Sequence, residues 1–229
     1  MMLMARKGNK RHVKSLAAPK FFAVHRKEFD YVRKPNAGRH SLSRSVALSY
    51  ALKQMGYVST TSEADRAIKR GSIQVNGKVI REPKYPVGFS DVVGVVSEKL
   101  SKRLGINGLG KMELEDVSKE GQAESNTYKV VGKYKARGGK LVLRLHDGRN
   151  VTAEANTNDS IIVKGGNVEK VLKLENGAKC FVIDGVHVGT YGKVSQLSKG
   201  DRKRDASVVI VPEEGEKFET LVKNIMIVV

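Results

Sequence analysis

Tryptophan is absent from this chain of 229 residues, and a single cysteine, Cys180, stands alone. One thiol excludes an internal disulfide framework; it fits a reducing cytoplasm or, equally, a small buried apolar position. No apolar run approaches the ~18 residues a membrane helix needs. Met1 to Met4 leads into charge rather than the apolar core of a secretory signal, so a soluble, unexported protein is expected. The five histidines, His12, His25, His40, His146 and His187, are scattered without paired cysteines, which excludes the spacing of a structural zinc site. Acidic residues are nearly missing from one region: residues 1–60 hold 13 basic and 2 acidic side chains.

That imbalance dominates what is present. Over the whole chain 42 Lys+Arg face 24 Asp+Glu, a formal charge of +18, which favours a polyanion as partner with counterion release as the main source of affinity. Residues 1–39 read as a basic, extended arm with few core-forming residues, a segment that orders on its partner. A lipid surface is a poor alternative, because MARKGNKRHVKSLAAPK lacks the aromatic and leucine stripe of an interfacial helix.

The next signal is a helix within Ser43–Met55, where Leu48, Ala51, Leu52 and Met55 recur at helical spacing and Gly56 ends the run. Thr61–Ile80 is more telling. Ala64, Ala67 and Ile68 fall on one helical face, while Arg66, Lys69 and Arg70 fall on the other. Thr60 or Ser62 caps the start, Glu63 and Asp65 suit the positive pole, and Gly71 terminates the helix. Ile73–Val75 and Lys78–Ile80 then flank Asn76-Gly77, a type I′ hairpin dipeptide. The run Val92–Val96 returns to that hairpin as a strand.

Beyond Ser97 alternation replaces helical spacing. Leu141, Leu143 and Leu145 alternate with polar residues up to the Asp147-Gly148 turn, and a return strand starts at Asn150. Further strands are expected at 127–136, 161–163, 168–174, 180–183, 193–197, 207–211 and 225–229. The 23 glycines suit tightly turned small barrels.

Two stretches invite enzymatic readings. Gly105, Gly110 and Lys111 in GINGLGKM match a phosphate loop through the lysine, but Met112 stands where Mg²⁺ ligation needs Ser or Thr, and no clear strand leads into it with a helix after. A linker is the simpler reading. RLHDG, Arg144–Gly148, approaches the Arg-Leu-Asp string of pseudouridine synthases, but His146 displaces the aspartate and Asp147-Gly148 reads as a hairpin turn.

The order of these motifs resembles the archaeal and eukaryotic type of small-subunit ribosomal protein four. KRHVKSLAAPK (Lys10–Lys20) and KPNAGRH (Lys34–His40) carry the N-terminal match. The helix and hairpin are similar to the RNA-binding motif that this family shares with bacterial ribosomal protein four, some pseudouridine synthases and tyrosyl-tRNA synthetases. KYPVGFSDVV (Lys84–Val93) looks like its exit, and GAKCFVIDGVHVGTYGKV (Gly177–Val194) is similar to a KOW motif. Phe21 and Phe22 stand where relatives tend to have Trp, and Arg39 stands where a proline is usual. Met1–Leu3 are given no role.

The resemblance implies an α+β, mostly β protein. Its parts would be a basic extended arm (1–40), a helix-hairpin RNA-binding module (41–96), a central β domain (97–175) and an SH3-like KOW barrel (176–229). It implies a structural constituent of the small ribosomal subunit, not an enzyme, without cofactor, metal or small-molecule substrate. Its partners would be small-subunit ribosomal RNA and neighbouring ribosomal proteins, on the cytoplasmic ribosome. The expected RNA contacts are Arg6, Lys7, Lys10, Arg11, Lys14 and Lys20 from the arm, Arg44 from the first helix, Arg66, Lys69 and Arg70 from the second, and Lys78 from the hairpin. The glycines around Asp184–Lys193 serve either RNA contact or a tight barrel turn. A non-ribosomal RNA chaperone or an RNA-modifying enzyme built from the same module is the alternative.

Overall fold

A computed structural model describes residues 12–24, 30–97, 100–117, 125–200, 204–213 and 215–228. Arg6, Lys7, Lys10 and Arg11 therefore lie outside the described residues. The described arm is extended, but it is not waiting for a partner to order it. Strands β1 (His12–Lys14) and β2 (Tyr31–Arg33) pair antiparallel, with Val13 opposite Val32. Ala18, Phe21, Phe22 and Val32 are buried in the main core. Phe22 lies against Tyr50, ring centres 6.4 Å apart, so an aromatic contact stands at the expected place. The four buried side chains anchor the described part of the arm to the core, while Leu16 stays exposed.

The first helix begins later than its spacing predicts. Ser45–Ala47 form β3, wholly buried, because they pair with β6 (Pro86–Gly88), and only Leu48–Gln54 close into α1. Local periodicity cannot register a strand partner forty residues away. Helix α2 (Thr61–Arg70) follows, then β4 (Ile73–Val75) and β5 (Lys78–Val79). Asn76 and Gly77 take φ of 51° and 76°, the left-handed pair of a type I′ turn. Strand β7 (Val92–Val95) returns beside β4 as expected. The sheet continues past residue 96 with β8 (Ser101–Ile106) and β9 (Met112–Asp116), giving the order β5-β4-β7-β8-β9.

The central sheet holds β10 (Ser125–Lys135), β11 (Leu141–Leu145), β12 (Asn150–Thr152), β13 (Ser160–Lys164) and β14 (Asn167–Leu172), ordered β12-β11-β10-β13-β14. Tyr128, Val130, Leu143, Leu145, Ile161 and Val163 fill its core. The last sheet comprises β15 (Lys179–Val182), β16 (Tyr191–Ser198), β17 (Ser207–Pro212), β18 (Phe218–Leu221) and β19 (Ile225–Ile227). Its order β18-β17-β16-β15-β19 places the final strand beside the first, as in an SH3-like barrel. The two faces of β15 serve two cores: Cys180 and Val182 face the barrel interior, while Phe181 joins the core of the helical module. Cys180 is thus a small buried residue, and burial pushes its thiol up to about 11. The described residues are mostly β with two α-helices, and no described helix is long and apolar enough to cross a membrane.

Candidate nucleic-acid interface

Helix α2 is held at both ends by its own sequence. The Thr60 hydroxyl accepts the Glu63 N–H at 3.2 Å, and the Glu63 carboxylate accepts the Thr60 N–H at 3.1 Å, a complete capping box. Hydrogen bonds from the Thr60 and Ser59 amides hold the Glu63 carboxyl below its usual range. Gly71 closes the helix with φ of 83°. Ala64 and Ile68 are fully buried, which leaves Arg66, Lys69 and Arg70 exposed on the opposite face. None of the three forms an ion pair with a described residue. The flanking Asp65, by contrast, is neutralised by Arg33 of β2 at 2.5 Å, and Arg33 also donates to Ser49 of α1 at 3.0 Å. The acid that would dilute the basic face is thereby taken up from behind.

Lys78 is exposed on the hairpin next to that helix. Lys14 and Lys20 are exposed on the arm. Arg44 lies in a 3₁₀ turn before β3 instead of in the first helix, and it is paired with Asp184 of the KOW-like loop. Arg66, Lys69, Arg70 and Lys78 thus share one module, Lys14 and Lys20 belong to the packed arm, and Arg44 is bound to the C-terminal sheet.

The charge count gave no warning of a buried polar junction behind this surface. Asp91 is fully buried and receives four groups: the His40 ring at 2.7 Å, the Asn76 amide at 2.6 Å, the Gly88 N–H at 3.0 Å and Arg39 at 3.5 Å. Burial alone would raise its carboxyl, but the hydrogen bond and charge of His40, with Arg39 and Asn76, bring it down to about 2. Asn76 is more than a turn residue, since its Oδ1 accepts both the Val92 N–H and the Asn126 amide at 2.9 Å. Arg39 also reaches Asp147 at 3.5 Å, joining the arm to the central sheet. Asp147 in turn binds Arg149 Nε at 2.6 Å, so the Asp147-Gly148 turn is a buried ion-pair site. Gly148, at φ of 82°, lies so close to the arm that a Cβ would fall 2.6 Å from the Arg39 carbonyl oxygen.

The two glycine-rich loops explain each other. Contrary to expectation, a strand does lead into GINGLGKM, but β9 follows it instead of a helix. Asn107 Oδ1 accepts the N–H groups of Leu109 and Lys111 at 3.1 and 3.0 Å, which consumes donors a phosphate would need. At Gly189 of the KOW-like loop, φ is 84° and a Cβ would lie 2.6 Å from Gly108 N and 2.7 Å from the Asn107 carbonyl carbon. This glycine therefore permits docking of one loop on the other, a purpose neither sequence reading proposed. Among the described residues no three of His, Cys, Asp and Glu converge as a metal-binding group.

A capped basic helix and a type I′ hairpin, followed in the chain by two further five-stranded sheets, define a protein of the S4-domain class. The S4 domain model matches residues 48–93, and the RS4NT (NUC023) domain model matches residues 7–43. Small ribosomal subunit protein eS4 of Staphylothermus marinus is 32% identical over 95% of this chain and 91% of its own length. The eS4 protein of Hyperthermus butylicus is 32% identical over 98% and 93%. The crystal structure of the 30S ribosomal protein S4e from Thermoplasma acidophilum superposes with a TM-score of 0.68 at 27% identity, covering 81% of this chain and 95% of that one. The chain belongs to the small ribosomal subunit protein eS4 family.

Proposed function

We propose that this protein is a structural constituent of the small ribosomal subunit, binding ribosomal RNA through the arm and the basic face of α2 and catalysing no reaction. The observation that carries the reading is the set Arg66, Lys69 and Arg70, exposed, without ion-pair partners among the described residues, and presented by a helix that its capping box and buried Ala64 and Ile68 hold in place. Long cations on a rigid helix suit A-form RNA, which is bound through phosphate geometry and 2′-hydroxyls more than through base edges. Lys78 adds a charge from the hairpin, and Lys14 and Lys20 add two from the arm. Arg44 contributes when a phosphate displaces Asp184, since that ion pair is about half exposed on both sides and weakly held. The same assignment places the protein in the cytoplasm, on ribosomes, beside other ribosomal proteins.

Replacing Arg66, Lys69 and Arg70 together by Ala tests this. Binding to small-subunit ribosomal RNA, titrated against salt, should weaken, and the slope of log K against log salt should fall by roughly 2–3. An unchanged slope removes α2 from the interface.

A further inference from the structure

The C-terminal sheet covers part of the central sheet's outer face at Lys129 and Ser160, but the part beyond the bulge of β10 is left exposed. Strand β10 carries a bulge between Val130 and Gly132, which re-aims the side chains beyond it. After the bulge Lys133 stands opposite Leu143, and Leu143 opposite Val151, on the side that packs the central core. Gly132 and Tyr134 therefore point the other way. Pairing across β10, β11 and β12 builds two outward rows: Gly132, Arg144 and Asn150 in one, Tyr134, Val142 and Thr152 in the other.

Tyr134 is 48% exposed, with Arg144 diagonal to it and also exposed. Between them Gly132 leaves a gap, since a Cβ there would meet nothing within 4 Å. Residues 131–145 contain five basic side chains and no acidic one. Of these, Lys135, Arg137, Lys140 and Arg144 are exposed and form no ion pair with a described residue. An aromatic ring, a guanidinium and an open glycine on one face of the sheet, bordered by exposed cations, form a surface for a flat anionic ligand. The apolar area is too scattered for a protein partner, whereas an unstacked base with its phosphates matches both features.

We propose that this face is a second RNA contact, a platform on which an unpaired nucleotide stacks against Tyr134. The base covers the gap at Gly132 beside Arg144, and Arg137 and Lys140 of the hairpin turn take the adjoining phosphates. The inference rests on the reading of the chain as an RNA-binding protein and extends it to a different RNA element, a single strand in place of a helix.

The test uses the full chain and an RNA decanucleotide of uridines with one central 2-aminopurine, whose fluorescence stacking quenches. Addition of the parent protein should quench it. Tyr134→Thr, which keeps a strand-forming residue, should abolish most of the quench and weaken binding about tenfold, while Tyr134→Phe retains both. Arg144→Ala, on the solvent side and so harmless to folding, should weaken binding several-fold. The triple Ala variant of α2 should keep the quench while losing affinity for small-subunit ribosomal RNA. Absence of quenching by the parent protein, or an unaltered quench and affinity in both Tyr134→Thr and Arg144→Ala, overturns the platform. So does a photo-crosslinker at position 134 that captures ribosomal protein instead of RNA within subunits. Quenching by a protein that ignores ribosomal RNA would sink the ribosomal reading alone and leave the platform standing.

Discussion

Asp91 shows how much a single side chain decides in a protein dominated by the opposite charge. Its carboxylate is surrounded by donors from the arm and the hairpin, and its partner Asn76 reaches the central sheet through Asn126. With the folded carboxyl near 2 and the unfolded one near 4, this contribution is complete above about pH 4 and lost as the pH falls towards 2. Asp91→Ala leaves the buried His40 and the half-buried Asn76 without their acceptor and should cost about 3–5 kcal/mol, measured by chemical denaturation. A loss under 1 kcal/mol would mean that the junction is not structural. His146 behaves in the opposite sense. Its Nδ1 accepts the Lys129 N–H at 3.1 Å, which fixes the neutral ring with the proton on Nε2. Burial depresses it to about 4, against the pull of Asp147. Between pH 6.5 and 4 the unfolded chain therefore binds a proton that the folded one refuses, and stability falls with acidification. Going from pH 7 to pH 5 should cost about 2 kcal/mol through this residue, a slope that His146→Gln flattens. Identical pH profiles for the two proteins would refute the assignment.

At the level of elements, what was legible in the sequence was what neighbours in sequence determine. The capping box, the apolar face and the glycine stop of α2 are all local, and so is the Asn-Gly hairpin. Both appear where the spacing places them. Helix α1 is shorter than its spacing because Ser45–Ala47 are drawn into a strand by Pro86–Gly88, a partner that helical periodicity cannot reveal. Strands β8 and β9 were missed for a related reason: SKRLGI and MELED alternate weakly, and their register is set by β7 and by the Asn107 turn. The candidate site divides in the same way. Arg66, Lys69 and Arg70 followed from helical geometry, whereas the pairing of Arg44 with Asp184, 140 residues away, left no local trace. Gly189 is a further case, since only the fold shows that its missing side chain admits the Asn107–Gly108 backbone. Gly189→Ala should strain both the left-handed backbone and that contact, costing about 2 kcal/mol, and should raise amide exchange at Leu109 and Lys111. Unaltered exchange there would show that the two loops do not dock in solution.

Taken whole, the molecule concentrates charge at its surface and resolves it at its seams. The three five-stranded antiparallel sheets meet across polar contacts that each need a specific donor. Arg39 spans the helical module and the central sheet through Asp91 and Asp147. Lys129 spans the central and C-terminal sheets, its ammonium donating to the carbonyls of Val222 at 2.6 Å and Ile225 at 2.7 Å. Close by, Ser160 Oγ accepts the Ile227 N–H at 2.9 Å. Burial, with a smaller push from Arg44, lowers the lysine to about 8, so it remains charged at neutral pH where both carbonyls hold it. Such a seam couples the folding of the two sheets, because separating them takes the Lys129 ammonium from both carbonyls and leaves Val222 only the Ile225 N–H of its own 3₁₀ turn. Lys129→Met keeps the apolar stem but removes the ammonium from both carbonyls, at a cost of about 1–3 kcal/mol. Calorimetry of the parent chain should show the central and C-terminal sheets melting together. In Lys129→Met the C-terminal sheet should melt first as a separate transition, with exchange at Ile227 rising ahead of exchange at Leu143. A single transition with an unshifted midpoint in the variant would show that apolar packing alone joins the two sheets.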